Sequence, residues 1–256
     1  MKLEIARDGV TKMNKAVYRF VLIEYPLPLP WEWNQITAFI SYEKSLGNPL
    51  EIICEDKDTL SKTLAAADSL DGSEYIPPVK EAAERFVYHA TDAGAAAKIL
   101  QSGRLLSAAK VHGMTGEELA VLRRDTGWED PPDFYEYIMF GWGTHLVGDY
   151  VVLSENFPAE DDFAAGNFDA GVRFYFQYND MLRHSGHVFD GYHPMKIKDE
   201  VKLSDYLYAC IVPEQYRDFI SSCAPKEFAR FIHYLPQRGL DLPTWNANVV
   251  TFVNSL

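Results

Sequence analysis

The sequence predicts an α+β protein in which a small N-terminal α/β unit, residues 1–78, precedes a larger domain, residues 79–256. Short β-prone runs alternate with amphipathic segments along the whole chain, which favours strands and helices in one fold. Hydrophobic residues make up 47% of the chain, so a sizeable core can be buried. The stretch GSEYIPPVKEAAER, residues 72–85, predicts a linker that leads into a short helix and places the boundary near residue 78.

In the N-terminal unit, two segments are predicted to be strands, AVYRFVLIEY at 16–25 and LEIICE at 50–55, the second of them buried. Residues 58–72 predict an amphipathic helix with Asp58 as its N-cap. The proline-rich stretch 26–31 predicts irregular structure, because each proline removes a backbone donor.

The larger domain opens with VYHATDAGAAAKILQSGRLL, residues 87–106. This stretch predicts a short strand that ends at His89 and a compact helix that stops at Gly103. Thr91 or Asp92 offers a side-chain oxygen to cap that helix. A titratable ring thus stands at a strand-to-helix junction, where ligand sites often form. The alternative is a histidine that merely bonds a nearby carbonyl.

The rest of the domain continues the alternation of strands and helices. Strands are predicted at 149–155, 171–178 and 207–213, and helices at 115–127, 214–222 and 226–235. Thr115 and Glu118 match a capping box at the start of the first of these helices. Residues 157–171 predict an acidic loop, and residues 183–205 a segment that is mostly loop.

Charge and composition limit the partners that the chain can have. The formal net charge is −13, which opposes extended binding to a phosphate backbone and suits an inhibitor partner. No apolar run is long enough to cross a bilayer, so no membrane partner is expected. The N-terminus MKLEIARDGV lacks the apolar stretch of a secretory signal, which predicts a cytoplasmic protein. The three cysteines form no CxxC pair, and Cys54 and Cys210 lie in apolar runs typical of buried, inert thiols.

Three segments resemble a known family, in the right order along the chain. They are the tyrosine-histidine-x-threonine opening of residues 88–91 with its helix, GVRFYFQYNDML at 171–182, and LYACIVPEQYRDFI at 207–220. Together they cover less than a fifth of the 256 residues. They resemble ADP-ribosyltransferases of the DarT type, which move ADP-ribose from NAD onto DNA bases. The resemblance implies a core of split antiparallel sheets and an NAD-dependent transferase, a toxin or defence factor by analogy.

The resemblance also implies roles for individual residues. His89 would bind the ribose on the nicotinamide side, Thr91 would contribute to NAD binding, and Tyr175 would supply an aromatic wall on which nicotinamide stacks. Arg123 would contact the pyrophosphate and Arg124 would assist the acceptor, since a planar guanidinium can bridge phosphate oxygens. From the residues alone, Tyr175 could equally be core packing, and the arginines a solvated helix face.

The acid is the point at which this sequence departs from the family. The glutamate that the family carries on its late strand falls here on Ala209 or Cys210, neither of which can stabilise a cation. We expect Glu200, or next Asp205, to supply the carboxylate from the preceding loop. Without such an acid the fold would be a non-catalytic module that binds a nucleotide or a partner.

A second set of residues permits a different chemistry. His184, His187, Asp190 and His193 recur at intervals of three residues and offer ligands for zinc, iron or manganese. They could instead contact the acceptor of a transferase or lie in an ordinary loop. The acceptor, a nucleic-acid base or a protein side chain, stays open, because the resemblance favours the base whereas the net charge opposes it. An RNA 2′-phosphotransferase on the same fold would need more basic residues than can be assembled here.

Overall fold

The computed structural model describes residues 2–6, 12–14, 17–21, 30–69, 82–123, 132–154 and 157–256. The α-helices among them are Pro30–Ser45 (α1), Lys57–Ser69 (α2), Ala93–Ser102 (α3), Ala108–His112 (α4), Gly116–Arg123 (α5), Val147–Ser154 (α6), Glu160–Ala164 (α7), Tyr178–Met181 (α8), Leu203–Tyr206 (α9), Arg217–Cys223 (α10) and Leu242–Ser255 (α11). The strands are Lys2–Ala6 (β1), Lys12–Asn14 (β2), Val17–Val21 (β3), Glu51–Cys54 (β4), Phe86–Thr91 (β5), Arg104–Leu106 (β6), Tyr137–Trp142 (β7), Val172–Gln177 (β8), His187–Val188 (β9), Met195–Lys198 (β10), Glu200–Lys202 (β11), Leu207–Pro213 (β12) and Ile232–Leu235 (β13). Within these ranges, no helix combines the length and the apolar character that a membrane span requires.

The chain is a mixed α and β protein, in agreement with the predicted α+β class at this coarse level. It divides into two compact units, each built from three separate segments. The first unit comprises Met1–Pro78, Ser107–Ile138 and Val188–Asp199, and the second comprises Val79–Leu106, Met139–His187 and Glu200–Leu256. The division differs from two consecutive domains, because residues 107–138 and 188–199 belong with the N-terminal part.

The first unit contains a four-stranded sheet with the strand order β2-β3-β1-β4. Strand β1 pairs in parallel with both β3 and β4. Helix α1 covers Pro30 to Ser45, so the predicted irregular stretch 26–31 ends inside a helix. Pro30 stands at the first position of α1, where the backbone N–H that proline lacks would have no partner within the helix. Helix α2 begins directly after Asp56, which takes the capping role predicted for Asp58: the Asp56 carboxylate accepts from the Asp58 amide at 2.9 Å.

A buried ionic cluster, which we call the Lys196 cluster, joins all three segments of the first unit. The Lys196 ammonium is fully buried and donates to Tyr42 and to Asp133, each at 2.9 Å. It also lies 3.2 Å from Asp190, whose carboxylate contacts the His193 ring at 2.9 Å. Because every charge in the cluster has a partner, its burial is tolerated.

The second unit is built on a sheet with the strand order β13-β12-β8-β5-β7. Strand β5 is antiparallel to β8 and β7, and β12 is antiparallel to β8, whereas β12 and β13 are parallel. The sheet is therefore mixed. Since side chains alternate along a strand, the register fixes which residues share a face. Tyr88 is opposite Tyr175 on one face, and His89 is opposite Phe174 on the other.

Local signals at the start of this unit predict the structure well. Asp92 caps α3 by accepting a hydrogen bond from the Ala95 amide at 2.9 Å. Gly103 ends the helix with a φ of 68°, in the left-handed region that favours glycine. In the other unit, the predicted capping box is also confirmed: the Thr115 amide donates to Glu118 at 2.8 Å, and the Glu118 amide donates to the Thr115 hydroxyl at 3.2 Å.

Two element predictions are wrong. Residues 149–155 lie largely in helix α6, not in a strand, because the local β-branched run is overridden by a buried ion pair at Asp149. Residues 226–235 form a 3-10 helix followed by strand β13, which extends the sheet beside β12. The predicted acidic loop 157–171 also contains the short helix α7.

Strand β4 is confirmed, but its residues alternate between exposed and half-buried positions, so the predicted burial is wrong and Cys54 is only partly buried.

Candidate functional site

His89 lies in strand β5, three residues before Asp92, the N-cap of α3, and on the face of the sheet opposite to Tyr88. The residue is half-buried, and its ring lies edge-on to Phe140, with ring centroids 6.2 Å apart. The ring Nδ1 is 3.2 Å from the carbonyl oxygen of Met139 on the neighbouring strand β7. The strand pairing thus holds the imidazole at a fixed position beside the strand-to-helix junction.

The Met139 contact determines which nitrogen of His89 carries the proton. A carbonyl oxygen can only accept, so Nδ1 donates and Nε2 is left as an acceptor in the neutral ring. Burial lowers the pKa of His89, although the Met139 hydrogen bond opposes the shift. At neutral pH the site therefore offers an unprotonated Nε2, which is able to accept a hydrogen bond from a hydroxyl group.

Thr91 is on the same face as His89, two residues further along β5, and is opposite Val172 of β8. Thr91 is half-buried, as is His89. The structure therefore places His89 and Thr91, two of the residues expected to bind NAD, on one face of β5. Asp92, next along the chain, is committed to the α3 cap.

Tyr175 is not part of this face, which corrects its predicted role as a wall for nicotinamide. The β8 register places it opposite Tyr88, and the two rings stack with centroids 5.6 Å apart. Its side chain is only 1% exposed, and its hydroxyl accepts from Arg173 at 3.1 Å. Because strand side chains alternate, a ring beside Tyr88 cannot also face a ligand held by His89.

The two positions aligned with the family's glutamate are both in the core. Cys210 is opposite Phe174 and so shares the face of His89, whereas Ala209 is opposite Tyr175 on the other face. Both residues are fully buried. Burial raises the pKa of the Cys210 thiol, which keeps it protonated and uncharged. Strand β12 therefore supplies no carboxylate level with His89.

Glu200, the preferred acid, lies in β11 opposite Leu106 of β6. Its carboxylate accepts from the Arg104 guanidinium at 2.8 Å, and its side chain remains 38% exposed. The ring of His184 hydrogen-bonds to the Glu200 backbone, and its centroid lies 5.4 Å from that of the Tyr206 ring. The structure thus gathers a carboxylate, a guanidinium, an imidazole and a phenol at one partly exposed place.

The remaining predicted residues are less informative. Asp205 is exposed and its carboxylate accepts from the Ser204 hydroxyl at 2.6 Å, just before β12 begins. Arg123 is the last residue of α5, in the first unit, and its side chain lies outside what the structure describes. Arg124 lies outside the described residues altogether.

The histidine-rich segment does not form a metal-binding group. Asp190 and His193 belong to the Lys196 cluster, whereas the Nδ1 of His184 accepts from the Gly186 amide at 3.0 Å. His187 contacts the carbonyl oxygen of His184 through its own Nδ1 at 2.9 Å. Across the described ranges, no three His, Cys, Asp or Glu side chains are placed to share a metal ion. The alternative of a metal site at these four residues is therefore not supported.

A buried polar network in the second unit was missed by the sequence analysis. Arg173 of β8 and Asp149 of α6 form a fully buried ion pair with Nη2 and Oδ2 2.9 Å apart. Arg173 also donates to Asn246 at 2.7 Å, and Tyr88 donates to Asp149 at 3.2 Å. Burial raises the pKa of the Asp149 carboxyl, and the Arg173 guanidinium opposes that rise. An arginine within the apolar run VRFYF was the one signal that could have revealed the network.

Comparison with known proteins identifies no relative: the chain matches no family model, no curated protein and no solved structure.

Proposed function

We propose that this chain is an NAD-dependent ADP-ribosyltransferase, and that its second unit holds the substrate at His89. The observation that carries the proposal is the half-buried residue His89, whose Nε2 is left as an acceptor, beside Thr91 at the junction of β5 and α3. The unprotonated Nε2 can accept a hydrogen bond that a ribose hydroxyl is able to donate. The three sequence segments that resemble the DarT type lie in β5, β8 and β12, which are neighbours in one sheet.

In the proposed reaction, the bond between the nicotinamide nitrogen and the ribose carbon breaks, and nicotinamide leaves with the bonding electrons. A nucleophile of a nucleic-acid base or a protein side chain forms the new bond to the same carbon and loses a proton. The positive charge that develops on the ribose needs a nearby carboxylate. Glu200 is the first candidate because it is accessible and held by Arg104, and Asp205 is the second.

The proposal predicts that the pure protein transfers label from ADP-ribose-labelled NAD to one of three pools: DNA, RNA or cell proteins. In His89→Ala the transfer is expected to fall about five- to tenfold, since the lost hydrogen bond contributes roughly 1–1.5 kcal/mol. His233→Ala is the matched control, because His233 is a partly buried histidine of the same unit that packs against Phe252. Equal transfer by both variants would contradict the role of His89.

The protonation state of His89 predicts how NAD binding depends on pH. Because burial lowers its pKa below the ordinary value of about 6.5, the affinity is expected to stay constant from pH 8 to about pH 6.5. At lower pH the ring takes up a proton, Nε2 stops accepting and the affinity falls. Calorimetric titration of NAD across this range tests the prediction. His89→Gln cannot titrate and should show no such fall, so an unchanged fall in that variant would count against the assignment.

A second candidate function is a binding module that holds NAD or a related nucleotide without turning it over. The specific observation in its favour is that Cys210 and Ala209 fill the positions of the family's acid and are fully buried. Glu200→Gln and Asp205→Asn, run beside the transfer assay, separate the two functions. Loss of nicotinamide release with NAD affinity retained supports the transferase. NAD binding with no nicotinamide release in the unaltered protein supports the module.

A further inference from the structure

Helix α6 in the second unit turns an apolar face to solvent. Val147, Tyr150 and Val151 expose 52%, 46% and 56% of their surfaces, and their spacing puts them on one side of the helix. The opposite side carries Asp149 and Leu153, which are buried. A surface helix ordinarily has charged or polar residues on its outer side, so an outer side of this composition indicates an unpartnered surface. We call these three exposed residues the α6 face.

Phe157 continues this apolar surface beyond the helix. Its ring is 53% exposed and lies 5.1 Å from the ring of Phe163 in α7. Phe157 is three positions after Ser154, the end of α6, so their Cα atoms lie within about 11 Å of each other. Phe163 in turn packs against the core of the unit, which anchors this end of the surface.

The chain segment that carries the α6 face has acidic side chains but no lysine or arginine. Glu160, Asp161 and Asp162 form the first turn of α7 and are exposed. Residues 143–172 contain no lysine and no arginine, so no cation of this stretch offsets them. Asp149 contributes little to the outer field, because Arg173 neutralises it inside the unit.

We propose that the α6 face, with Phe157 and the acidic start of α7, is a docking surface for a partner polypeptide whose apolar side chains are flanked by lysine or arginine. Burial of the exposed valine, tyrosine and phenylalanine side chains supplies the affinity. The three carboxylates attract and orient the basic flanks. A second copy of this chain would bring its own carboxylates against them, and a nucleic acid would bring phosphates, so like charge disfavours both.

A synthetic peptide of leucine and lysine in an amphipathic helical pattern, labelled with fluorescein, serves as the probe for anisotropy titration against the full chain. The same peptide with glutamate in place of lysine is its counterpart. We expect the lysine peptide to bind and the glutamate peptide not to bind. In Val147→Ser/Val151→Ser the dissociation constant for the lysine peptide should rise about tenfold or more, since two apolar side chains that the bound peptide would bury are lost.

Matched variants separate docking from general attraction to an acidic chain. Val121→Ser/Leu122→Ser removes two apolar side chains of α5 that are 57% and 59% exposed, and should leave the affinity unchanged. Asp161→Asn/Asp162→Asn should weaken binding more than Asp218→Asn/Glu227→Gln, which removes the same charge from two other exposed positions. Circular dichroism checks that each variant is folded, as expected for substitutions at exposed positions.

Two results would overturn the proposal. Equal affinity of all four variants for the lysine peptide would mean that the peptide responds only to the net charge. A dimer in light scattering that Val147→Ser/Val151→Ser dissociates would mean that a second copy, not a basic partner, occupies the α6 face.

Discussion

Replacing Asp149 by alanine is expected to lower the free energy of unfolding by about 3–5 kcal/mol, because Arg173 would remain buried without its counter-charge. Both side chains are fully buried, and the guanidinium reaches no solvent. The remaining partners of Arg173, Tyr175 and Asn246, offer hydrogen bonds but no charge. Urea unfolding followed by circular dichroism measures the loss.

Asp180→Ala is the control for this prediction, because it breaks an exposed pair with Arg183 in the same unit. That change should cost less than about 1 kcal/mol, as is usual for surface ion pairs. The double variant Asp149→Leu with Arg173→Met removes both charges and is expected to recover much of the lost stability. If Asp149→Ala lowered the free energy of unfolding no more than Asp180→Ala, the buried ion pair would stabilise the fold no more than a surface pair does.

Replacing Lys196 by methionine is expected to cost a similar amount, about 3–5 kcal/mol at pH 7, since two carboxylates would lose the ammonium between them. The cost should depend on pH. Burial by itself would raise the pKa of Asp190, but Lys196 and His193 hold it well below its usual range. A carboxylate with a depressed pKa in the folded state stabilises the fold above its unfolded pKa of about 3.9, and that contribution is lost as the pH falls through the folded value.

The difference in unfolding free energy between the unaltered chain and Lys196→Met should therefore be largest near neutral pH and shrink below about pH 4. Urea titrations at pH 7, 5 and 3 measure it. Lys198→Met is a suitable control, because Lys198 is exposed and its contact with Glu136 is a surface pair at 3.6 Å. A difference for Lys196→Met that did not change with pH would show that lost packing, rather than the ionic cluster, is responsible.

The sequence predicted best where the determinants are local. Strand β5, the Asp92 cap and the glycine that ends α3 each follow from a few neighbouring residues, and the structure has all of them. His89 at the junction follows from the same local pattern. The face that Tyr175 occupies could not be read from its own strand, because it depends on which β5 residue lies opposite.

The features that the sequence did not predict are set by distant partners. Asp149 and Arg173 are 24 residues apart. In the sequence, each is a single charged residue within an apolar segment, and nothing nearby shows that it has a buried partner. Residues 149–155 have the composition of a strand, yet they form a helix whose inner side is fixed by that pair and by Leu153. Strand β13 likewise exists because β12 offers it a parallel edge, which nothing within residues 226–235 indicates.

The interleaving of the two units has a consequence for how the chain is made. Synthesis runs from the N-terminus, yet the hydrogen bond between Tyr42 and Lys196 joins residues 154 positions apart. The first unit therefore cannot close its ionic cluster until most of the second has also left the ribosome. A fragment that stops at residue 78 would lack Asp133, Asp190 and Lys196 together. Each unit is made of three separate segments of the chain, so simple truncation cannot isolate either of them.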